Sequence, residues 1–182
     1  SRGLGDVYKR QIFKFEQLSN FDKNDFFVSE CNYFAFNLIK SWPNWEKKIL
    51  NIYGERKSGK SHLSEIFLEN KKGIKLKINE LNKKIFDKIK EYENIVIEDF
   101  NERCDEETTY SLIDMVEKEN KYLLITSTRA VSEMETGLKD LNSRFKNILT
   151  AKIEKPDDEL IYALIVNNFS DSQIILDKKL IN

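Results

Sequence analysis

An eight-residue segment in the first half of the chain constrains the fold more than any other feature. It has a glycine, four further residues, a second glycine, a lysine and a serine: Gly54, Glu55, Arg56, Lys57, Ser58, Gly59, Lys60 and Ser61. This spacing is typical of a phosphate-binding loop between a β-strand and an α-helix. In such a loop Lys60 reaches the β- and γ-phosphates, Ser61 ligates Mg²⁺, and His62 follows them on the helix. The segment predicts that the chain binds ATP or ADP with Mg²⁺.

Short apolar runs alternate with amphipathic helical patterns, which predicts a parallel sheet covered by helices. Strands are expected at about 48–53, 74–78, 95–97, 122–126 and 147–153. Helices are expected at about 32–41, 61–69, 80–92, 138–145 and 157–168, with another that begins near Asp105. The run 95–97 lacks polar alternation and is expected inside the sheet, whereas Lys75 and Lys77 alternate with apolar residues and indicate an edge strand.

The composition fits one globular domain rather than a disordered chain. The 182 residues are 40% hydrophobic and carry a formal net charge of -1. A balanced charge argues against strong independent binding to duplex DNA. Two isolated cysteines, Cys31 and Cys104, are expected to be reduced thiols, and no apolar run approaches the roughly 18 residues of a membrane span. These features predict a cytoplasmic protein.

Two acidic residues follow the third predicted strand. The apolar run 95–97 continues into Glu98 and Asp99. An apolar strand that ends in acids after a phosphate-binding loop is the Walker B arrangement. We expect Glu98 to coordinate the metal and Asp99 to orient or deprotonate an attacking water, an ordinary strand end being the alternative.

Polar residues also follow the fourth strand and the helix near residue 140. Thr128 and Arg129 come directly after the fourth strand, where sheets of this class bind ligands. A hydroxyl there is a candidate for holding the lytic water, although such residues also make turns, and Arg129 fits a surface charge equally well. Arg144 is one of only six arginines, and arginine stabilises phosphoryl charge in cis or across an interface. A salt-bridged helix end is the alternative for Arg144.

In this order the motifs resemble the AAA+ ATPase domain of bacterial DnaA and, more closely, the Hda-type regulators of the alphaproteobacterial kind. The resemblance covers about residues 13–182. Its specific elements are Trp42-Pro43-x-Trp45 and Leu141-x-Ser143-Arg144-Phe145. It implies a P-loop NTPase fold, with a five-stranded parallel sheet of order 5-1-4-3-2 and the start of a small helical lid.

The resemblance also implies roles for individual residues. Thr128 falls at the sensor 1 position, and Arg144 at the arginine finger that reaches the nucleotide of a neighbouring subunit. Residues 26–29 would pack beside the adenine. Glu98 is one methylene longer than the aspartate usual in the family, so we expect a weak ATPase or an ATPase-activating regulator.

Hda-type proteins act with the DNA polymerase III sliding clamp to promote hydrolysis of ATP bound to DnaA, which negatively regulates replication initiation. DnaA and the clamp are therefore the expected partners. The segment 11–15, which begins with Gln11, is a possible clamp-binding peptide. We expect a leader or clamp-binding tail at 1–11, a nucleotide-binding core at 12–155 and part of a lid at 156–182, with the sensor 2 arginine of the family beyond the end.

Three other readings stay open. A DnaA initiator would carry an extra helical insertion between strands two and three, where residues 78–95 leave room for one helix, and a basic recognition domain. A DnaC-type helicase loader shares the motifs but usually has a longer basic N-terminal region. A small P-loop metabolite kinase would need an arginine-rich lid, and no arginine follows Pro156.

Overall fold

The computed structural model describes residues 26–69 and 71–171, with side chains up to residue 166. The expected leader, the possible clamp-binding segment 11–15 and the part of the lid after residue 171 lie outside these ranges. The chain divides into two compact units. One comprises residues 34–155, and the other includes the described residues 26–33 and 156–171.

The larger unit is built on a five-stranded parallel sheet. Its strands are β1 (Ile49–Tyr53), β2 (Gly73–Lys77), β3 (Asn94–Phe100), β4 (Tyr122–Ser127) and β5 (Leu149–Lys152). The strand order is β2-β3-β4-β1-β5, and every pairing is parallel. This confirms the predicted order 5-1-4-3-2, with β2 at an edge and β3 inside.

Five α-helices accompany the strands, and a sixth lies in the smaller unit. They are α1 (Tyr33–Lys40), α2 (Lys60–Leu68), α3 (Phe86–Lys90), α4 (Glu106–Lys118), α5 (Lys139–Phe145) and α6 (Asp158–Asp171). Helix α4 begins where predicted, because the Asp105 carboxylate accepts a hydrogen bond from the Thr108 amide at 2.7 Å and caps the first turn. None of the helices in residues 26–69 and 71–171 is both long and apolar enough to cross a membrane.

The single helix predicted over residues 80–92 is wrong. Two short 3₁₀ turns, Ile78–Glu80 and Lys83–Ile85, precede the five-residue helix α3. The Glu80 carboxylate accepts from the Lys77 amide at 2.6 Å, and the Asn82 side chain accepts from the Lys84 amide at 3.0 Å. These side-chain contacts offer the backbone an alternative to helical hydrogen bonds, so the amphipathic pattern is interrupted.

Both faces of the sheet are covered. On one face, buried residues of the strands pack with α4 and α5 in a continuous core that includes Ile97, Ile125, Ile113, Leu141 and Phe145. On the other face α2 contacts β3 and β4. Burial on two sides explains why β1, β3 and β4 read as continuous apolar runs.

The two tryptophans of the Trp-Pro-x-Trp motif pack against α2. Trp45 stacks on Phe67 with ring centroids 5.2 Å apart, and Trp42 meets the same ring edge-on at 6.5 Å. The Trp45 indole N–H also donates to the carbonyl of Leu38 in α1 at 2.6 Å. The motif therefore joins the end of α1 to the helix that follows the phosphate-binding loop.

The two cysteines are free and buried. Burial raises the pKa of the Cys104 thiol, which keeps it protonated and unreactive near neutral pH. Both observations agree with the predicted reduced thiols.

Replacing Phe67 tests how far the stability of the fold depends on the packing of Trp42 and Trp45 against its ring. Its side chain is fully buried, so Phe67→Ala should lower the free energy of unfolding by about 3–5 kcal/mol in urea denaturation followed by circular dichroism. Phe34→Ala is the matched control, because Phe34 is 58% exposed and its loss should cost less than about 0.5 kcal/mol. Equal effects of the two substitutions would contradict the packing described.

Candidate nucleotide-binding site

The loop between β1 and α2 has the backbone that its sequence requires. Gly59 precedes α2 with φ 92°, a left-handed conformation that residues with a Cβ rarely adopt. A Cβ on Gly54 would lie 2.8 Å from the carbonyl oxygen of Ile153, which is too close for real side chains. Both glycines of the motif are therefore needed for physical reasons.

The ammonium group of Lys60 lies inside this loop. It donates hydrogen bonds to the carbonyl oxygens of Gly54 at 2.9 Å and Glu55 at 2.6 Å, and to the Ser58 hydroxyl at 3.3 Å. Burial lowers the pKa of Lys60, and the carboxylate of Asp99 acts in the opposite direction. The lysine is thus a half-buried cation that faces an acid at the end of β3.

The phosphate-binding loop opens into a cavity of about 1130 Å³. Such a volume lies slightly above the usual range of small-molecule sites, which is about 300–1,000 Å³. The loops after β3 and β4 complete its wall. The predicted site residues among its lining are Arg56, Lys57, Ser58, Gly59, Lys60, Ser61, His62, Asp99 and Thr128.

Positive charge predominates in this cavity. Three of the four arginines in the described part of the chain line it, namely Arg56, Arg103 and Arg129. They add to Lys57 and Lys60, against the acids Asp99 and Glu102. An excess of cations suits a ligand that carries several phosphate charges. Arg103 was not predicted from the sequence, and Arg129 fitted a surface charge equally well, although the scarcity of arginine was a usable signal.

Asp99 owes its place in the cavity to an irregularity in β3. The pairing of β3 with β4 shifts register between Ile97 and Phe100, and Asp99 has a left-handed φ of 57°. Its amide donates to the Thr126 hydroxyl at 3.4 Å. A strained backbone of this kind in a non-glycine residue is often found at functional sites.

Glu98, the preceding residue, is buried rather than exposed to the cavity. Its Oε1 has no hydrogen-bond partner among the described residues, and its Oε2 lies 4.0 Å from the Lys75 ammonium. An orphaned carboxylate oxygen in a buried position is an atom that a cation would satisfy. Carboxylate and hydroxyl oxygens suit Mg²⁺, so Glu98 and Ser61, the latter in the first turn of α2, stay the predicted metal ligands.

The rest of such a metal shell would come from the nucleotide. No three His, Cys, Asp or Glu side chains within residues 26–69 and 71–171 form a group able to hold a metal ion by themselves. Magnesium commonly keeps waters and phosphate oxygens beside one or two protein ligands. The residues present therefore fit a metal that arrives with a phosphate ligand.

A buried amide in β1 fixes the loop after β4. The Asn51 side chain donates to the Ser127 hydroxyl at 2.9 Å and accepts from the Val131 amide at 2.9 Å. The Ser127 hydroxyl in turn donates to the carbonyl of Arg129 at 2.6 Å. Thr128 is exposed between these anchored residues. Asn51 was not singled out from the sequence, although an amide within an apolar strand was the available signal.

Arg129 forms an ion pair with Glu102, so the loops after β3 and β4 meet at the cavity. Asn101 supports the first of these loops, since its side chain donates to the Asp99 carbonyl at 2.9 Å and accepts from the Arg103 amide at 3.0 Å. Arg129 therefore lines the cavity, where its ion pair with Glu102 links the two loops.

Arg144 is not among the cavity-lining residues. Its guanidinium pairs with Asp114 at 3.0 Å and with Glu117, both on α4. It also lies 4.7 Å from the ring centre of Tyr110, and the hydrogen bond to that hydroxyl, with the acids nearby, raises the pKa of Arg144. These contacts match the salt-bridged helix end considered above, and a role toward another subunit stays a prediction.

Comparison with solved structures shows that this fold is similar to those of two DnaA proteins and a Walker-type ATPase. DnaA from Aquifex aeolicus bound to AMPPCP has a TM-score of 0.68 and 17% identity, over 89% of this chain and 59% of that one. Domain III of DnaA from Thermotoga maritima has a TM-score of 0.64 and 20% identity, over 85% and 75% of the two chains. A Walker-type ATPase of Pyrococcus abyssi has a TM-score of 0.57 and 12% identity, over 86% and 62%.

These likenesses confirm the predicted fold class. The chain spans about three-fifths of the length of the Aquifex protein. No protein-family model and no curated protein matches the sequence. At these identities the comparison establishes the fold, and the chemistry has to be argued from the residues.

Gly59→Ala tests whether the left-handed position of the loop matters for binding. A Cβ at φ 92° costs about 1–2 kcal/mol and would distort the loop, so the affinity for a fluorescent ADP analogue should fall at least about tenfold. Gly137→Ala is the matched control, because a Cβ there would make only ordinary contacts with the Glu106 side chain. Unchanged affinity in Gly59→Ala would count against this loop as the binding element.

Proposed function

We propose that this chain is a DnaA-related, nucleotide-binding regulator of replication initiation that acts with the sliding clamp to promote hydrolysis of ATP on DnaA. The observation that carries the proposal is the phosphate-binding loop, which shares one cationic cavity with Asp99 and Thr128 in a fold common to DnaA domains. The AMPPCP found in the Aquifex protein supports ATP or ADP as the ligand.

The phosphates would lie against the N-terminus of α2. Amide groups of the loop and the ammonium of Lys60 would bind them, with Arg56 and Lys57 on the solvent side. Ser61 and Glu98 are the residues that would hold Mg²⁺, which neutralises phosphate charge when bound. Lys60 would exchange its bonds to the loop carbonyls for bonds to phosphate oxygens.

Asp99 and Thr128 are the residues proposed to act on a water at the terminal phosphate. Both line the cavity, and they come from the adjacent strand ends of β3 and β4. The carboxylate would accept the proton of the water while the hydroxyl orients it. With Glu98 buried beside a lysine, we expect this intrinsic hydrolysis to be weak.

Arg144 is proposed to act on the nucleotide of a neighbouring DnaA subunit. Helix α5 is held in place because the Glu106 carboxylate accepts from the amides of Gly137 and Leu138, both at 2.8 Å. The Arg144 side chain is 23% exposed beside Asp114 and Glu117. It would have to exchange these two carboxylates for phosphate oxygens at the interface between subunits.

The ATPase domain of a DnaA initiator is the second candidate, because DnaA proteins are themselves the structural neighbours. The connection from β2 to β3 favours the regulator. It contains only two 3₁₀ turns and the five-residue helix α3, which leaves no second full helix for the insertion expected of an initiator.

Lys60→Ala tests nucleotide binding itself. Loss of the ammonium that donates to the loop carbonyls should weaken binding of a fluorescent ADP analogue by at least about a hundredfold, the equivalent of a lost charge-assisted contact to phosphate. Lys83→Ala, at an exposed lysine paired with Glu107, is the charge-matched control. If Lys60→Ala and the unmodified protein bind the ADP analogue with equal affinity, the proposed site is wrong.

Arg144→Ala tests the action on DnaA. ATP-loaded DnaA is incubated with clamp loaded on DNA, and ATP turnover is measured with and without this protein. The substitution should abolish the stimulation, a loss of about a thousandfold or more in the accelerated rate, and leave ADP binding unchanged.

The double variant Asp114→Asn, Glu117→Gln separates a structural role from a catalytic one. It removes both acidic partners of Arg144 but keeps the guanidinium, so stimulation should persist. If this variant loses stimulation as fully as Arg144→Ala, the arginine serves the packing of α5. If the unmodified protein does not stimulate ATP turnover by DnaA, the regulator proposal is wrong and the initiator becomes the favoured candidate.

A further inference from the structure

Glu98 stands out among the buried residues because its charge is poorly compensated. Only 11% of its side chain is exposed, and its Oε1 has no hydrogen-bond partner in the described part of the protein. A buried carboxylate in this situation is unfavourable unless a cation lies nearby. The cation that the structure provides is Lys75, at 4.0 Å from Oε2.

Lys75 lies on the edge strand β2, on the same face of the sheet as Glu98. It is in register with Val96, two residues before Glu98, and this face is the one that α2 covers. Its ammonium also lies 3.2 Å from Oε1 of Glu65, a residue of α2. One lysine is thus shared between an acid on the helix that carries Ser61 and the buried acid of β3.

The contact of Lys75 with Glu98 is longer than its contact with Glu65, but it has the larger electrostatic effect. The Glu65 side chain is 66% exposed, so water and salt screen its pair with Lys75. The Glu98 carboxylate is shielded from solvent, and a charge at 4.0 Å acts on it through a medium of lower dielectric constant. The electrostatic effect of Lys75 is therefore exerted mainly on Glu98.

We propose that Lys75 is the resident counter-ion of Glu98 and thereby sets the Mg²⁺ affinity of the nucleotide site. The inference rests on the proposed nucleotide binding with Glu98 as a residue that holds the metal. The ammonium and Mg²⁺ compete for one carboxylate, since both are cations drawn to the same oxygens. Glu65, whose carboxylate already lies 3.2 Å from the ammonium, is the partner that Lys75 keeps when the metal binds.

The proposal has two consequences. A lysine that only stabilised the fold would show the first of them but not the second. Without metal, Lys75 stabilises the fold because it compensates the buried charge of Glu98. With metal and nucleotide, the same positive charge opposes Mg²⁺ and raises the concentration needed to fill the site. Removing Lys75 should therefore destabilise the metal-free protein and strengthen metal binding.

Lys75→Met tests both consequences in the full chain, because methionine keeps most of the apolar stem. Binding of a fluorescent ATP analogue is titrated with MgCl₂ at constant ionic strength. We expect the half-saturating Mg²⁺ concentration to fall by about three- to tenfold, as the loss of a nearby like charge predicts. The metal-free protein should melt lower by about 2–4 °C, the shift expected for a chain of this length when one such contact is lost.

Glu65→Gln tests the same idea in the opposite direction at an exposed position. With its helix partner neutral, Lys75 is left to Glu98, so the half-saturating Mg²⁺ concentration should rise about twofold or more. Lys83→Met is the matched control, because Lys83 also belongs to an ion pair, at 3.3 Å from Glu107, and should change neither quantity.

The outcomes separate this inference from the proposed function. If the unmodified protein binds the ATP analogue with no dependence on Mg²⁺, or does not bind it, the proposed site is wrong and the inference fails with it. If the unmodified protein depends on Mg²⁺ but Lys75→Met and Glu65→Gln leave that dependence unchanged, only the role of Lys75 is overturned. Opposite shifts in the two variants would establish it.

Discussion

The parallel pairing of β1, β3 and β4 is the constraint on which the remaining structure depends. The register places Tyr53 of β1 and Phe100 of β3 beside the same residue of β4, Ser127. Three strands therefore end at one edge, and each continues into a loop that lines the same cavity. Helices on both faces bury the sheet, so its hydrogen bonds are protected from water and the edge is held rigidly. Residues on short loops can be held in fixed positions relative to one another only if the strands that carry the loops are rigid.

The chemistry of the site arises from charges and backbone conformations that are unfavourable in isolation. Left-handed φ angles at Lys57 and Asp99, the half-burial of Lys60 and the buried carboxylate of Glu98 each cost free energy. The packed sheet provides the stability that tolerates them. A cationic cavity with a neighbouring unsatisfied acid is poorly balanced without a ligand, and phosphate with Mg²⁺ has the charges that would balance it.

Polar contacts between α4 and α5 form a second layer of organisation. Glu106 binds the amides before α5, while Asp114 and Glu117 bind Arg144 near its end. The aliphatic core beneath, with Leu141 and Phe145 fully buried, fixes the helix axis. Arg144 is consequently presented beside α4 on the outside of the core. The arginine therefore lies outside the cavity of its own chain and joins the two helices.

The sequence by itself determined the features that depend on short spacing: the glycines and lysine of the phosphate-binding loop, the acidic pair near the end of β3, the Asp105 cap of α4 and the succession of strands and helices. The order of the strands came from the resemblance that these motifs carry.

Tertiary structure decided the rest. The break in the predicted helix at 80–92 depends on side-chain contacts of Glu80 and Asn82, which an amphipathic pattern does not report. Arg103 and Arg129 line the cavity because the loops after β3 and β4 meet at one edge of the sheet. Lys75 lies near Glu98 because their strands are adjacent in the sheet. Contacts between residues distant along the chain leave no periodic signal, since only the folded sheet brings their charges within reach of each other.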